Sequence, residues 1–161
     1  MKRLTAIHDS LTPEQRGEKA ESLFRNGYNC SQAVVLAFSD MLEAAGGPAF
    51  EQLAVMMSGF GGGMGRMREV CGTVSGMTAL AGFIIPATED KAGNYALVQE
   101  FAGQFKSLNR SIICRELLGL PQHADAPMPS ERTPEYYKKR PCAELCRIAA
   151  IIVAGYLSKN S

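Results

Sequence analysis

The chain has 161 residues, 46% of them hydrophobic and 20% charged, with 17 basic and 16 acidic residues and a formal charge of +1. That length suits one domain whose core needs no staples, and the near-neutral balance gives no electrostatic drive toward nucleic acid or an acidic membrane. Trp is absent and aromatics are 7%, which leaves few base-stacking platforms, and the composition is neither disordered nor collagen-like.

Met1-Lys2-Arg3 is basic, but polar residues follow without an apolar run of signal-peptide length. The apolar stretches from Ala79 to Ala87 and from Ile148 to Leu157 are short of the roughly 20 residues a spanning helix needs. The expected address is therefore the cytoplasm, with no membrane segment.

Helix signals dominate in chain order. Thr12-Pro13-Glu14-Gln15 offers a cap, a proline at the first helical position and a Gln to close a capping box, with Asn26-Gly27 as the stop. Asn29-Cys30-Ser31-Gln32 repeats the capping pattern and opens a helix carrying Ala33, Val34, Ala37, Phe38, Met41 and Leu42 at helical spacing. Gly46-Gly47-Pro48 breaks it, and a short helix through Phe50, Leu53 and Met57 follows. Gly59-Phe60-Gly61-Gly62-Gly63-Met64-Gly65 is too glycine-rich for regular structure. Met67 to Ile85 reads as a buried helix ended by Pro86. Its small residues Gly72, Gly76 and Ala79 invite close approach of another helix, within the chain or in a homodimer. Thr88 starts a long helix that continues or kinks through Cys114 to Leu118. The Pro-rich segment 120–134 reads as a long loop, Lys138-Lys139-Arg140 as a solvated turn, and Pro141 as the start of the last helix. No stretch alternates as a strand. The expected architecture is all-α: one domain over 1–161, a bundle of six or seven helices with a Gly-rich loop.

Five cysteines, Cys30, Cys71, Cys114, Cys142 and Cys146, carry the potential chemistry. An odd count at long spacings does not describe a disulfide framework, and no CxxC indicates a thioredoxin-type site, a zinc ribbon or haem attachment. Cys71, just after the glycine loop at a helix start and near Arg66 and Arg68, is the leading candidate for a reactive thiolate. Cys30 follows its Asn29 cap and enjoys the same helix-terminus potential. Cys114, placed late in its helix, suits a resolving thiol, a packed neutral group or a ligand to a cation. Cys142 and Cys146 share a helix face at a Cβ separation of about 5–6 Å, wider than a disulfide tolerates, so joint metal ligation is easier than a bridge; Cys146 alone reads as core. The glycine loop lacks the residues of a P-loop or a dinucleotide fingerprint; it can instead converge backbone N–H groups on a thiolate or on an anion beside it. Met56, Met57, Met64, Met67 and Met77 are flexible packing, or soft donors alongside cysteine. His8 and His123 read as surface residues.

Together these pieces resemble a family of redox-active proteins named for the pattern C, GCAxxG, C, C. The resemblance rests on Gly27-Tyr28-Asn29-Cys30-Ser31-Gln32, Gly59 to Gly65, Cys71-Gly72-Thr73-Val74-Ser75-Gly76, Cys114-Arg115-Glu116-Leu117-Leu118-Gly119 and Pro141-Cys142, and spans roughly residues 18–157. Val70 stands where the name motif has Gly, and Gly72 where Ala is usual; the small-residue character is kept. The resemblance maps the four family cysteines onto Cys30, Cys71, Cys114 and Cys142 and leaves Cys146 as an extra. It implies thiol–disulfide or electron-transfer chemistry centred on Cys71, with a redox partner or small molecule. A distant likeness to the non-haem-binding part of split-Soret cytochromes implies metal chemistry as well, without covalent haem. Three readings follow: a redox-active thiol protein, a possible oxidoreductase; a binding protein whose Cys30, Cys71, Cys114 and Cys142 hold iron, zinc or an Fe–S cluster; or a non-catalytic helical interaction module.

Overall fold

The computed structural model describes residues 1–121 and 124–161; the expectation for His123 lies outside them. The elements are α1 (Pro13–Arg25), α2 (Cys30–Leu36), α3 (Ser39–Ala44), α4 (Phe50–Met56), α5 (Gly61–Met64), α6 (Gly72–Ile84), α7 (Lys91–Asn109), α8 (Cys114–Leu117), α9 (Pro134–Lys139) and α10 (Cys142–Asn160), with two short 3₁₀ turns. No strand occurs among the described residues, so the chain is all-α. Among the described residues ten helical segments replace the expected six or seven: two predicted helices are divided, α9 forms inside a predicted loop, and the four-residue α5 lies in the glycine segment.

The first division separates α2 from α3 at Ala37-Phe38. The second comes at Arg110, which takes a left-handed φ of 71° and ends α7. The predicted run to Leu118 therefore stops, and Cys114 instead opens a new short helix. Helix α9 lies inside what reads as loop and basic turn: Thr133 accepts from the Tyr136 backbone N–H and Pro134 takes the first helical position. The small-residue helix starts at Gly72, with Cys71 as its cap residue. The following helix starts from Asp90, whose carboxylate accepts from the Gly93 N–H, and not from Thr88.

The two capping boxes form as the residues dictate. Thr12 and Gln15 exchange side-chain-to-backbone hydrogen bonds of 3.2 and 2.9 Å. Asn29 Oδ1 accepts from the Ser31 and Gln32 N–H groups at 3.0 Å each, while Gln32 returns a bond to the Asn29 N–H. Each such cap is worth about 1 kcal/mol.

Packing gathers these helices around one hydrophobic core. The antiparallel pair α1 and α10 lies against α2, and α2 packs on α6, which α7 covers from the other side. Phe38, Phe101, Phe105, Leu36, Leu42, Leu53, Met77, Leu80 and Ile84 are fully buried, each contributing about 1.5–3 kcal/mol of apolar transfer. The α2–α6 contact depends on absent side chains. A Cβ at Gly76 would stand 2.9 Å from Val34 Cβ, and one at Gly72 would strike the Cys30 sulfur. The small-residue face read as suited to a second copy is thus occupied within the chain.

One buried charge is invisible to periodicity. Arg16 is fully buried, pairs with Asp9 and Asp40 at 2.6 Å each, donates to the Ala37 carbonyl and lies over the Phe38 ring. Burial opposes both charges of the Arg16–Asp40 pair. Its hydrogen bonds outweigh that cost and hold Asp40 below the usual carboxylate range.

Candidate functional site

Cys30 is positioned by its neighbours in sequence. Asn29 Nδ2 donates to the Ser58 carbonyl at 2.8 Å, Ser31 Oγ to the Met57 carbonyl at 2.7 Å, and Gln32 Nε2 to the Ala54 carbonyl at 2.7 Å. The start of α2 is thereby tied to α4 and to the chain entering the glycine segment.

That segment makes a left-handed turn. Gly62, Gly63, Met64, Gly65, Arg66 and Arg68 all have φ between 57° and 68°. Successive left-handed residues cost about 1–2 kcal/mol each when they carry a Cβ, so the three glycines are where the turn is inexpensive, and Met64, Arg66 and Arg68 store strain. Close packing holds it. A Cβ on Gly63 would come within 2.6 Å of the Glu69 nitrogen and 2.8 Å of Cys114 Cβ. The turn closes through Arg68 N–H to the Gly62 carbonyl and Glu69 N–H to the Gly63 carbonyl, both 3.1 Å.

Immediately after the turn, Val70 bridges to Ile113 in a single antiparallel pairing. The Cys71 N–H donates to the Ile112 carbonyl at 2.8 Å and the Cys114 N–H to the Glu69 carbonyl at 2.6 Å. This short ladder sets Cys71 beside Cys114 although 43 residues of sequence separate them. Cys142 arrives as the first residue of α10.

Cys30, Cys71, Cys114 and Cys142 line one cavity with Gly62, Thr73, Tyr136 and three arginines, Arg68, Arg132 and Arg140. It encloses about 490 Å³ of space between atoms, part of it open to solvent. All five cysteines are free thiols. Cys146 is fully buried outside the cavity, its thiol 3.8 Å from the Cys30 carbonyl. The methionines are not part of the lining: Met57 and Met77 are core residues, and Met56, Met64 and Met67 face outward. His8 is exposed.

The thiols are electrostatically unequal. The Cys71 thiol donates to the Cys30 sulfur and favours its thiolate; the Gly62, Cys30 and Ser31 N–H groups add to this, and together they overcome burial to bring Cys30 down to about 6. Cys71 is pushed well up, by the neighbouring Cys30 charge it solvates and by burial; its sulfur also contacts Thr73 Oγ1 at 3.1 Å. The lower thiol pKa falls on Cys30, toward which the packing brings the Gly62 N–H. Burial raises Cys114, against the pull of Arg68 Nη1 3.6 Å from its sulfur, and burial raises Cys142 to about 12.

Among the described residues, no three His, Cys, Asp or Glu side chains are gathered as a metal ion would need.

Sequence reasoning overlooked three residues of the cavity wall. Arg132 donates to the Phe24 and Tyr28 carbonyls and stacks 4.2 Å from the Phe24 ring centroid, which fastens the Pro-rich segment to α1. Tyr136 and Arg140 come from α9 and its end. The Thr133-Pro134 cap was the available signal for that helix.

The fold and cavity define an all-α protein with four buried or half-buried free thiols lining one cavity. The family model described as "Putative redox-active protein (C_GCAxxG_C_C)" matches residues 28–156, and the chain belongs to that family. No curated protein and no solved structure matches it. No helix among the described residues is long and apolar enough to cross a membrane.

Proposed function

We propose that the protein is a thiol–disulfide redox protein whose working pair is Cys30 and Cys71. The observation that carries this reading is the meeting of Cys30 and Cys71 with Cys114 and Cys142 on one cavity beside Gly62, where the Cys71 thiol and the Gly62 and Ser31 N–H groups favour the Cys30 thiolate. Cys30 as thiolate attacks one sulfur of an oxidised substrate RSSR, forming Cys30–S–S–R and expelling RS⁻. Cys71 then attacks the Cys30 sulfur, its proton leaves with the second RSH, and a Cys30–Cys71 disulfide remains. Two electrons pass from the protein to the substrate. The pair suits this order, since the attacking thiol is ionised near neutral pH while the resolving thiol keeps its proton until the mixed disulfide forms. Cys114 and Cys142, protonated and on the same cavity, are the proposed second pair: exchange with the Cys30–Cys71 bridge would restore those thiols and leave Cys114 and Cys142 oxidised.

Mass spectrometry of the reduced protein tests the reading. Cys30 should alkylate first at pH 7, and substoichiometric oxidant should yield a Cys30–Cys71 bridge before any other. Slow labelling at all five cysteines together with random or absent bridging would refute it.

A further inference from the structure

The cysteine cavity does not end at its own walls. Asn29, Gly62, Arg68, Arg132, Tyr136 and Arg140 also line an adjoining groove, walled on its far side by Arg66, Pro127, Pro129 and Ser130. Four guanidinium groups thus face a continuous hollow, and no acidic side chain is among its lining residues. Asp125 pairs with Arg66 and Arg68. Arg132 and Arg140 form no ion pair among the described residues. Arg132 spends its N–H groups on two backbone carbonyls, which satisfy hydrogen bonding but leave the charge. The Arg140 guanidinium rests on the Tyr136 ring, 5.1 Å from its centroid, and makes no hydrogen bond among the described residues. Arg68 is only 3% exposed and is neutralised by Asp125, 2.6 Å from its Nη2. Half-buried guanidinium groups lacking counter-charges attract and orient anions, above all planar ones that accept two parallel bonds.

We infer that this groove is the docking site for a carboxylate-bearing, low-molecular-weight disulfide, held by Arg132 and Arg140 with its sulfur–sulfur bond directed into the cysteine cavity. The inference rests on the thiol–disulfide reading above and names its substrate class. Size supports a small molecule. The groove has a cavity volume of about 360 Å³, within the usual range of small-ligand sites. Cys30 is 9% exposed, too recessed for a disulfide fixed on the surface of a folded protein. The reaction consumes one RSSR and releases RS⁻ and RSH as the protein gains its Cys30–Cys71 bridge, so no other oxidant is required. Arg140 is the residue whose removal reports docking, since its guanidinium makes no bond that holds the fold.

The test uses the full, reduced chain and three disulfides: dianionic dithiodipropionate, neutral hydroxyethyl disulfide and dicationic cystamine. Bridge formation is followed by acid quench and mass spectrometry, and each rate is divided by that of mercaptoethanol with the same reagent, which removes differences in leaving group. The dianion should lead the neutral reagent by about tenfold and the dication by about a hundredfold at low ionic strength, with the spread shrinking in high salt. Arg140→Gln should cut the dianion-to-neutral ratio several-fold, and Arg140→Glu should favour the dication. Equal normalised rates for all three reagents, or ratios indifferent to Arg140, would overturn the inference while leaving the thiol reading intact. If no reagent produces the bridge, the thiol reading fails instead. Calorimetry with suberate, in which methylenes replace the two sulfurs, then decides the groove: binding weakened by Arg140→Gln upholds a carboxylate site, and no binding overturns it.

Discussion

Replacing Cys71 isolates the interaction on which the redox reading turns. Cys71→Ala removes the thiol that donates to the Cys30 sulfur and leaves the Gly62 and Ser31 N–H donors in place. A hydrogen bond to a charged group is worth about 1.5–3 kcal/mol, and 1.36 kcal/mol corresponds to one pKa unit. The Cys30 thiolate should therefore require about one to two pH units more alkaline conditions than the pH of about 6 in the native protein. Cys71→Ser keeps an O–H donor at the same place and should recover most of the difference, which separates loss of the bond from loss of packing. The measurement is the Cys30 alkylation rate against pH, read by mass spectrometry at limiting iodoacetamide. A native midpoint near that of a free thiol would refute the reasoning, as would a profile indifferent to both substitutions.

The same pair shapes stability. Folded, it releases one proton near pH 6 and the second well above 9, against two near 9 in the unfolded chain. The folded state binds fewer protons between pH 6 and 9 and more above 9, so denaturant resistance of the reduced protein should climb to about pH 9 and then fall. Cys30→Ser should flatten this dome. Arg16→Met should cost about 3 kcal/mol by leaving Asp9 without its buried partner. It should also remove part of the acid sensitivity, because the Asp40 contribution is present above the ordinary carboxylate range and is lost as pH drops through its lowered value; urea melts at pH 3 and 7 measure both effects. Gly63→Ala, forced to φ of 68° with its methyl against Glu69 and Cys114, should destabilise by more than about 2 kcal/mol and disturb Cys30 labelling. Cys146→Ala should lose about 1–2 kcal/mol of stability yet form the Cys30–Cys71 bridge at the native rate.

The legible parts of the fold were those written in local chemistry. Thr12-Pro13 and Asn29 with Gln32 announce their helices because capping needs only residues three apart, and the apolar spacing of α10 survives because its whole inner side is buried. Arg110 could not be anticipated as a terminator: nothing in its side chain favours a left-handed φ, and the break is imposed by the Val70–Ile113 pairing, a contact between distant segments. That one pairing moved Cys114 from the presumed end of a helix to the start of another. The donors that lower the Cys30 thiol were hidden for a similar reason: they reach it across the chain, from Gly62 and from Cys71. Arg140 read as part of a solvated turn and Arg16 drew no reading, because periodicity carries no information about a carboxylate or a ring supplied by another segment.

The brief ladder joining residues 69–71 to 112–114 also sets a rule for biogenesis. Until it zips, the thiols on its two arms are strangers, and any oxidant present meets five interchangeable sulfurs on a loose polymer. Mispaired crosslinks formed then would keep the arms from meeting. On the proposed thiol–disulfide reading, selective pairing of the cavity cysteines is therefore open only to the finished fold.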